Sequence, residues 1–204
     1  MTDELKGELL VLNLLRQVFL KEPGLEFLEG IGRVELPAEK EGEVGGLATM
    51  VNSVRENSSR LDPWVEALAL EFARLFIGPV DPPAVPYASF YLSESHSLMT
   101  EETLEVRRRY LQAGLAVKDL HRIPDDHVAM EAEFLYDLTR RAIQSLEEGK
   151  GEEASALLAL REDFLKQHMI RWVPLFSERV IQSSREDFFK GAAALLQEFI
   201  EANR

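Results

Sequence analysis

The chain has no cysteine, and that single absence removes disulfides, thiolate zinc sites and cysteine nucleophiles together. Positive charge is scarce: 23 lysines and arginines stand against 36 aspartates and glutamates, a formal net charge of −13 over 204 residues. Phosphate backbones are bound by basic stripes, and none occurs, so nucleic acid is not an expected partner. An anionic membrane surface would repel this chain, whereas a basic partner would be drawn in over long range. Long hydrophobic runs are missing too. The most apolar early stretch, Leu9 to Leu15, is interrupted by Asn13 and is too short to span a bilayer. The N-terminus, Met-Thr-Asp-Glu, is acidic where a secretory signal is basic. The expectation is a cytoplasmic protein without stable membrane insertion.

Catalytic signatures are equally thin. The four histidines (His96, His121, His127 and His168) belong to no HExxH motif and to no Glu-x-x-His pair. There is no GxxxxGK[ST] phosphate loop, no GxGxxG and no G-x-S-x-G. Asp125, Asp126, His127 and Glu131 are the one group that could hold a metal, but adjacent aspartates rarely point at one ion. A metal-dependent hydrolase using Asp125, Asp126 and His127 lacks further ligands. No cofactor, metal or enzymatic activity is expected.

What is present is helical periodicity, with 46% hydrophobic residues to build a core. Leu5, Leu9, Leu12, Leu15 and Phe19 line one side of a helix over 3–21, which Glu22-Pro23-Gly24 stops. A short helical turn and loop follow to Glu43, then a helix over 44–56 with a start weakened by Gly45 and Gly46. Asp62-Pro63 reads as a cap and first helical residue for a helix over 64–77, ended by Gly78-Pro79. Thr100 starts a helix to Ala113. Leu115 to Ile123 reads as a hinge between an N-terminal lobe (1–114) and a C-terminal lobe (124–204). Helices are then expected over 124–148, 152–170, a short one that Pro174 opens or kinks, and 187–203. His168 and Trp172, four residues apart on one face, read as a packed core pair. No period-two pattern competes, so the fold class is all-α.

Two stretches stand out. Arg122-Ile-Pro-Asp-Asp-His127 places Pro124, Asp125 and Asp126 in the expected first turn of a helix, where carboxylates favour the positive end of the dipole. His127 follows, and Val128, Leu135, Leu138 and Ala142 continue as a core stripe. The second stretch runs from Pro79 to Tyr91. Its prolines forbid a continuous helix or central strand, and Pro86, Tyr87, Phe90 and Tyr91, with Phe72, Leu75 and Phe76 on the preceding helix end, suit the lining of an apolar groove.

Three segments together resemble the TorD/DmsD-like chaperones that assist maturation of molybdenum-containing redox enzymes. They are Phe72-Ala-Arg-Leu-Phe76-Ile-Gly-Pro79 with Pro86-Tyr87-Ala-Ser89-Phe-Tyr91; Pro124-Asp125-Asp126-His127 with Glu131 and Phe134; and Phe164-Leu-Lys-Gln-His168-Met-Ile-Arg-Trp172-Val-Pro174-Leu-Phe176. The resemblance implies an all-helical protein of two lobes that binds the twin-arginine signal peptide and apo catalytic subunit of a client oxidoreductase. It also implies that export is held back until the client's cofactor is loaded. The implied peptide site here is Phe72, Leu75, Phe76, Pro86, Tyr87, Asp125, Asp126 and His127, with a monomer or a domain-swapped homodimer as the assembly. Ile123 stands where many relatives carry glutamate, and Phe72 and Tyr87 where relatives carry tryptophan. A helical assembly factor that recognises a folded client is the competing reading. A twin-arginine leader joins guanidinium groups to an apolar stretch, so its receptor needs carboxylates beside a groove.

Overall fold

The computed structural model describes residues 2–36, 45–78, 81–116 and 123–204. Helices account for the regular structure: α1 (Thr2–Leu20), α2 (Leu25–Gly32), α3 (Gly46–Glu56), α4 (Leu61–Phe72), α5 (Ala88–Leu92), α6 (Glu101–Gln112), α7 (Val128–Glu147), α8 (Gly151–Phe164), α9 (Ile170–Ser183) and α10 (Asp187–Ala202). Among the described residues there is no strand, only an isolated antiparallel bridge between Tyr87 and His127. The all-α expectation therefore holds.

The chain divides into two compact units built from interleaved segments. The first comprises Met1–Leu20, Pro86–Val173 and Phe199–Arg204; the second comprises Lys21–Val85 and Pro174–Glu198. The expected lobes were consecutive, and the expected hinge falls largely on 117–122, outside the described residues.

In the first unit α1 lies along α7 and α7 along α8. Of the anticipated stripes, Leu5, Leu12, Leu15 and Phe19 of α1 and Val128, Leu135, Leu138 and Ala142 of α7 are buried, while Leu9 is half-buried. Arg16 fastens α1 to α7 through Glu133 and by its guanidinium lying 4.4 Å from the centre of the Tyr136 ring. Tyr110, Phe134 and Phe164 form an aromatic cluster with centroids 4.5 and 4.9 Å apart across the two successive pairs.

In the second unit Gly46 meets α10 backbone to backbone. A Cβ there would lie 2.2 Å from the Leu195 nitrogen and 2.5 Å from the Gly191 carbonyl, so the glycine that weakens α3 as a helix is required by the packing. Glu198 accepts from the Gly46 N–H at 2.8 Å and serves as the missing cap. Phe72, Phe76, Phe176, Phe188 and Phe189 form the core of this unit, with Trp64 edge-on to Phe188.

Three local expectations are corrected. A 3₁₀ turn, Ser58–Arg60, leads into α4 at Leu61, so Asp62 and Pro63 sit inside its first turn and do not cap it. Pro63 is tolerated because the first four N–H groups of a helix have no intrahelical partner. α8 runs through a π turn, Leu165–Met169, into α9 (Ile170–Ser183), so Pro174 lies inside a longer helix and does not open it. An interior proline costs about 3 kcal/mol or more; complete burial of Trp172, Val173, Phe176 and Val180 around it offsets that. The third correction concerns the start of α7 and belongs to the site.

Candidate functional site

α7 begins at Val128, not at Pro124. His127 is its N-cap, with extended backbone (φ −73, ψ 135), and its Nδ1 accepts from the Ala129 N–H at 3.1 Å. Every early donor of α7 is met locally: Val128 N–H donates to the Pro86 carbonyl at 2.9 Å, and Met130 and Glu131 donate to the His127 carbonyl. The strap and the Pro-Asp-Asp-His segment thus pair across the Tyr87–His127 bridge. Asp126 serves α5 from the other side. Its carbonyl accepts from Ala88 N–H at 2.9 Å, and its Oδ2 accepts from Ser89 N–H at 2.8 Å. These tertiary bonds hold Asp125 and Asp126 out of the α7 helix, which is why the expectation of a first-turn pair at its dipole fails.

The two aspartates have different partners. Asp125 is buried and its Oδ2 accepts twice from Arg107, at 2.7 Å from Nη2 and 3.1 Å from Nε, while Tyr110 donates to the Asp125 carbonyl at 2.8 Å. The carboxylate raises the Arg107 pKa in return. Asp126 is wholly buried, and its Oδ1 has no hydrogen-bond partner; the Ser89 hydroxyl beside it has none either. Two orphaned polar atoms in one buried place are costly unless a ligand or water meets them.

His127 is neutral at ordinary pH, because burial lowers its pKa to about 4. With Nδ1 accepting, the proton is assigned to Nε2. The Tyr87 ring packs edge-on against it at 5.0 Å, half-buried, and burial followed by the nearby Asp126 charge pushes the phenol pKa up.

Sequence reasoning kept Glu131 off the site, though an acid on the stripe Val128–Leu135 was a usable signal. Glu131 is fully buried, accepts from Trp172 Nε1 at 3.1 Å and lies 2.6 Å from His168 Nε2. Burial pushes its pKa up to about 7. His168 reaches it from the π turn, a distortion that recurs at functional positions. The pair His168–Trp172 is packed, as expected, but around this carboxylate. Arg107 was the other omission; nothing in its helix marks it.

Of the remaining expected site residues, Pro86 is buried in the first unit, and Phe72, Leu75 and Phe76 are buried in the second. Phe72 and Phe76 stack edge-to-face at 5.0 Å, and both lie near Phe189, at 6.2 and 5.9 Å. The Leu75 carbonyl accepts from Ala84 N–H, which ties the strap's start to the end of the π turn Ala73–Ile77. Gly78 closes that turn with φ +58 and ψ 161, a combination essentially confined to glycine. A separate cavity of about 270 Å³, lined by Tyr110, Leu115, Met130, Glu133, Phe134 and Asp137 among others, involves none of the eight.

Among the described residues no cluster of three or more histidine, aspartate or glutamate side chains is placed to hold a metal, and no helix is long and apolar enough to cross a membrane. The arrangement is all-helical, with a polar junction in which the buried Asp126 Oδ1 lacks a donor. Residues 35–178 match the family model described as nitrate reductase delta subunit. The chain is 30% identical over 173 residues to Chaperone protein TorD of Vibrio parahaemolyticus, covering 85% of this chain and 76% of that one. It is 30% identical over 156 residues to the Vibrio cholerae protein of that name (76% and 68% covered) and 27% over 191 residues to that of Vibrio atlanticus (91% and 87%). The chain belongs to the TorD family of redox-enzyme maturation chaperones, a family of chaperones and not of enzymes.

Proposed function

We propose that this chaperone acts in the cytoplasm by binding the twin-arginine signal peptide of an apo molybdenum-containing oxidoreductase, holding back export until the cofactor is inserted. The observation that carries the reading is Asp126: a wholly buried carboxylate with one oxygen committed to Ser89 N–H and the other without a donor. A guanidinium supplies the missing donors in planar geometry, and an ammonium does so less well. Asp125 is excluded from that role by Arg107, so its part is to hold the turn. Neutral His127 and Tyr87 offer a ring surface beside the acceptor and no competing positive charge.

The test is calorimetry with a synthetic leader carrying two adjacent arginines, a twin-lysine control and the D126N variant. Asparagine keeps an acceptor for Ser89 N–H, so the melt should change little. Leader affinity should fall by about 1.5–3 kcal/mol, the scale of a charge-assisted hydrogen bond. Equal affinity of D126N and the parent, or of arginine and lysine leaders, would remove Asp126 from the recognition of arginine. A client engaged only through its folded body would show no binding to either leader.

A further inference from the structure

At a helix start, the residue before the N-cap and the fourth helical residue often pack together as an apolar pair. In α7 those positions are Asp126 and Glu131, on either side of the cap His127, and both are wholly buried. Among the described residues no lysine or arginine bonds either carboxylate: Asp126 has the Ser89 N–H, and Glu131 has Trp172 Nε1 and His168 Nε2. Two buried acids in the place of an apolar pair repel each other, because little water screens them. The Asp126 charge accordingly adds to the burial that pushes the Glu131 pKa up to about 7.

The neighbours leave Glu131 as the group that responds near neutral pH. Tyr110 of α6 faces Glu131, Asp125 and Asp126, and burial followed by those charges holds its phenol well above its ordinary range. Burial and the Asp126 charge push Tyr87 up as well, and His127 stays neutral down to about pH 4. Asp125 is committed to Arg107. His168 also faces Glu102 of α6, as does Arg171 of α9. α1 and α8, which pack on α7, bring Arg16 and Arg161, held by Glu133 and Asn13 and by Glu8 and Asn203.

We propose that occupation of Asp126 by a guanidinium is linked to loss of a proton to solvent, with Glu131 as the residue that gives it up. The inference rests on the arginine reading of Asp126 and adds a pH control to it. A cation bonded to Asp126 cancels the repulsion that ionised Glu131 feels, so the complex holds fewer protons than the free protein. Ionised Glu131 favours the complex in turn, by the same factor. Binding therefore strengthens as pH rises through about 7.

Calorimetry near neutral pH, with an N-acetylated, histidine-free twin-arginine peptide in buffers of different ionisation enthalpy, counts the protons. The parent should release a fraction of a proton per peptide. Its affinity should rise about fivefold between about pH 5.5 and about 8, the lower end of ordinary coupling between sites. E131Q keeps an acceptor for Trp172 Nε1; it should release no proton and bind at every pH as the parent does at low pH. A second measurement needs no peptide. Trp172 emission senses the Glu131 charge through its N–H bond, and with E131Q as the blank its pH midpoint should lie lower in D126N than in the parent. If D126N weakens peptide binding but E131Q releases the parent's proton, or D126N titrates as the parent does, this inference is overturned and the arginine reading stands. An affinity that is flat with pH in the parent overturns it equally. If D126N binds the peptide with the parent's affinity, the arginine reading fails and the inference fails with it. Should E131Q not fold, the pH dependence of affinity in the parent and in D126N decides: a rise with pH that D126N retains in full overturns the linkage.

Discussion

The aromatic centre of the second unit and the polar junction of the first bury their residues to a similar degree for opposite reasons. Phe72, Leu75 and Phe76 are buried because rings on α4, α9 and α10 enclose one another, an arrangement without direction or unmet demand. Asp125, Asp126 and His127 are buried with directed bonds to Arg107, to the Ser89 N–H and to the Ala129 N–H, while Asp126 Oδ1 is buried without a donor. Burial alone therefore does not distinguish core from site. The hydrogen-bond accounting separates an aromatic core around Phe72, Leu75 and Phe76 from a bonded polar junction at Asp125, Asp126 and His127.

Breaking the aromatic centre should give the largest effect. Phe76→Ala removes a ring packed on Phe72, Phe176 and Phe189 and should cost about 3–5 kcal/mol in a urea melt. Leader affinity measured on the folded protein should be preserved. An unchanged melt midpoint with lost leader binding would return Phe76 to the peptide site and erase the distinction drawn above.

The polar junction should reveal itself by pH. Burial holds the folded His127 pKa near 4, below the ordinary 6.5, so between those values the unfolded chain binds a proton that the folded chain does not. Stability contributed by neutral His127 is thus present above pH 6.5 and lost as pH falls through 4, on the order of 3 kcal/mol. His127→Asn retains a capping acceptor for Ala129 N–H and should flatten that slope. Glu131 works in the reverse sense: raised to about 7, it favours the folded state at low pH and loses that contribution as pH rises from about 4.5 to 7. Melts of H127N and E131Q across pH 4–8 check both signs; an unaltered slope in H127N would mean that His127 is solvated in the folded protein.

Tyr87 lies between the two behaviours and should give the smallest effect on stability. Half-buried, with its ring edge-on to His127, it should cost about 1 kcal/mol when truncated to alanine. Leader affinity should fall about tenfold. A loss of several kcal/mol with binding retained would move Tyr87 to the core group.

The helix stripes were legible from residue spacing alone. Val128, Leu135, Leu138 and Ala142 on α7, and Leu5, Leu12, Leu15 and Phe19 on α1, are buried as their periodicity demands, because a 3.6-residue repeat has only one way to hide its apolar side. The three motif segments carried the family, which the comparisons then bore out. What spacing could not carry was any event in which one segment satisfies another. Pro124 and the two aspartates have good credentials for a first turn, yet Asp126 accepts from the first N–H groups of α5, the Pro86 carbonyl accepts from Val128 N–H, and the helix starts four residues later. Gly46 is poor for a helix but needed by Gly191 and Leu195, and Pro174 is tolerated because the surrounding side chains are wholly buried. Asp125 and Asp126 are indistinguishable in the sequence. Only the tertiary structure, by placing Arg107 against one and a single backbone N–H against the other, made them different, because the state of a buried charge is set by which donors reach it through space.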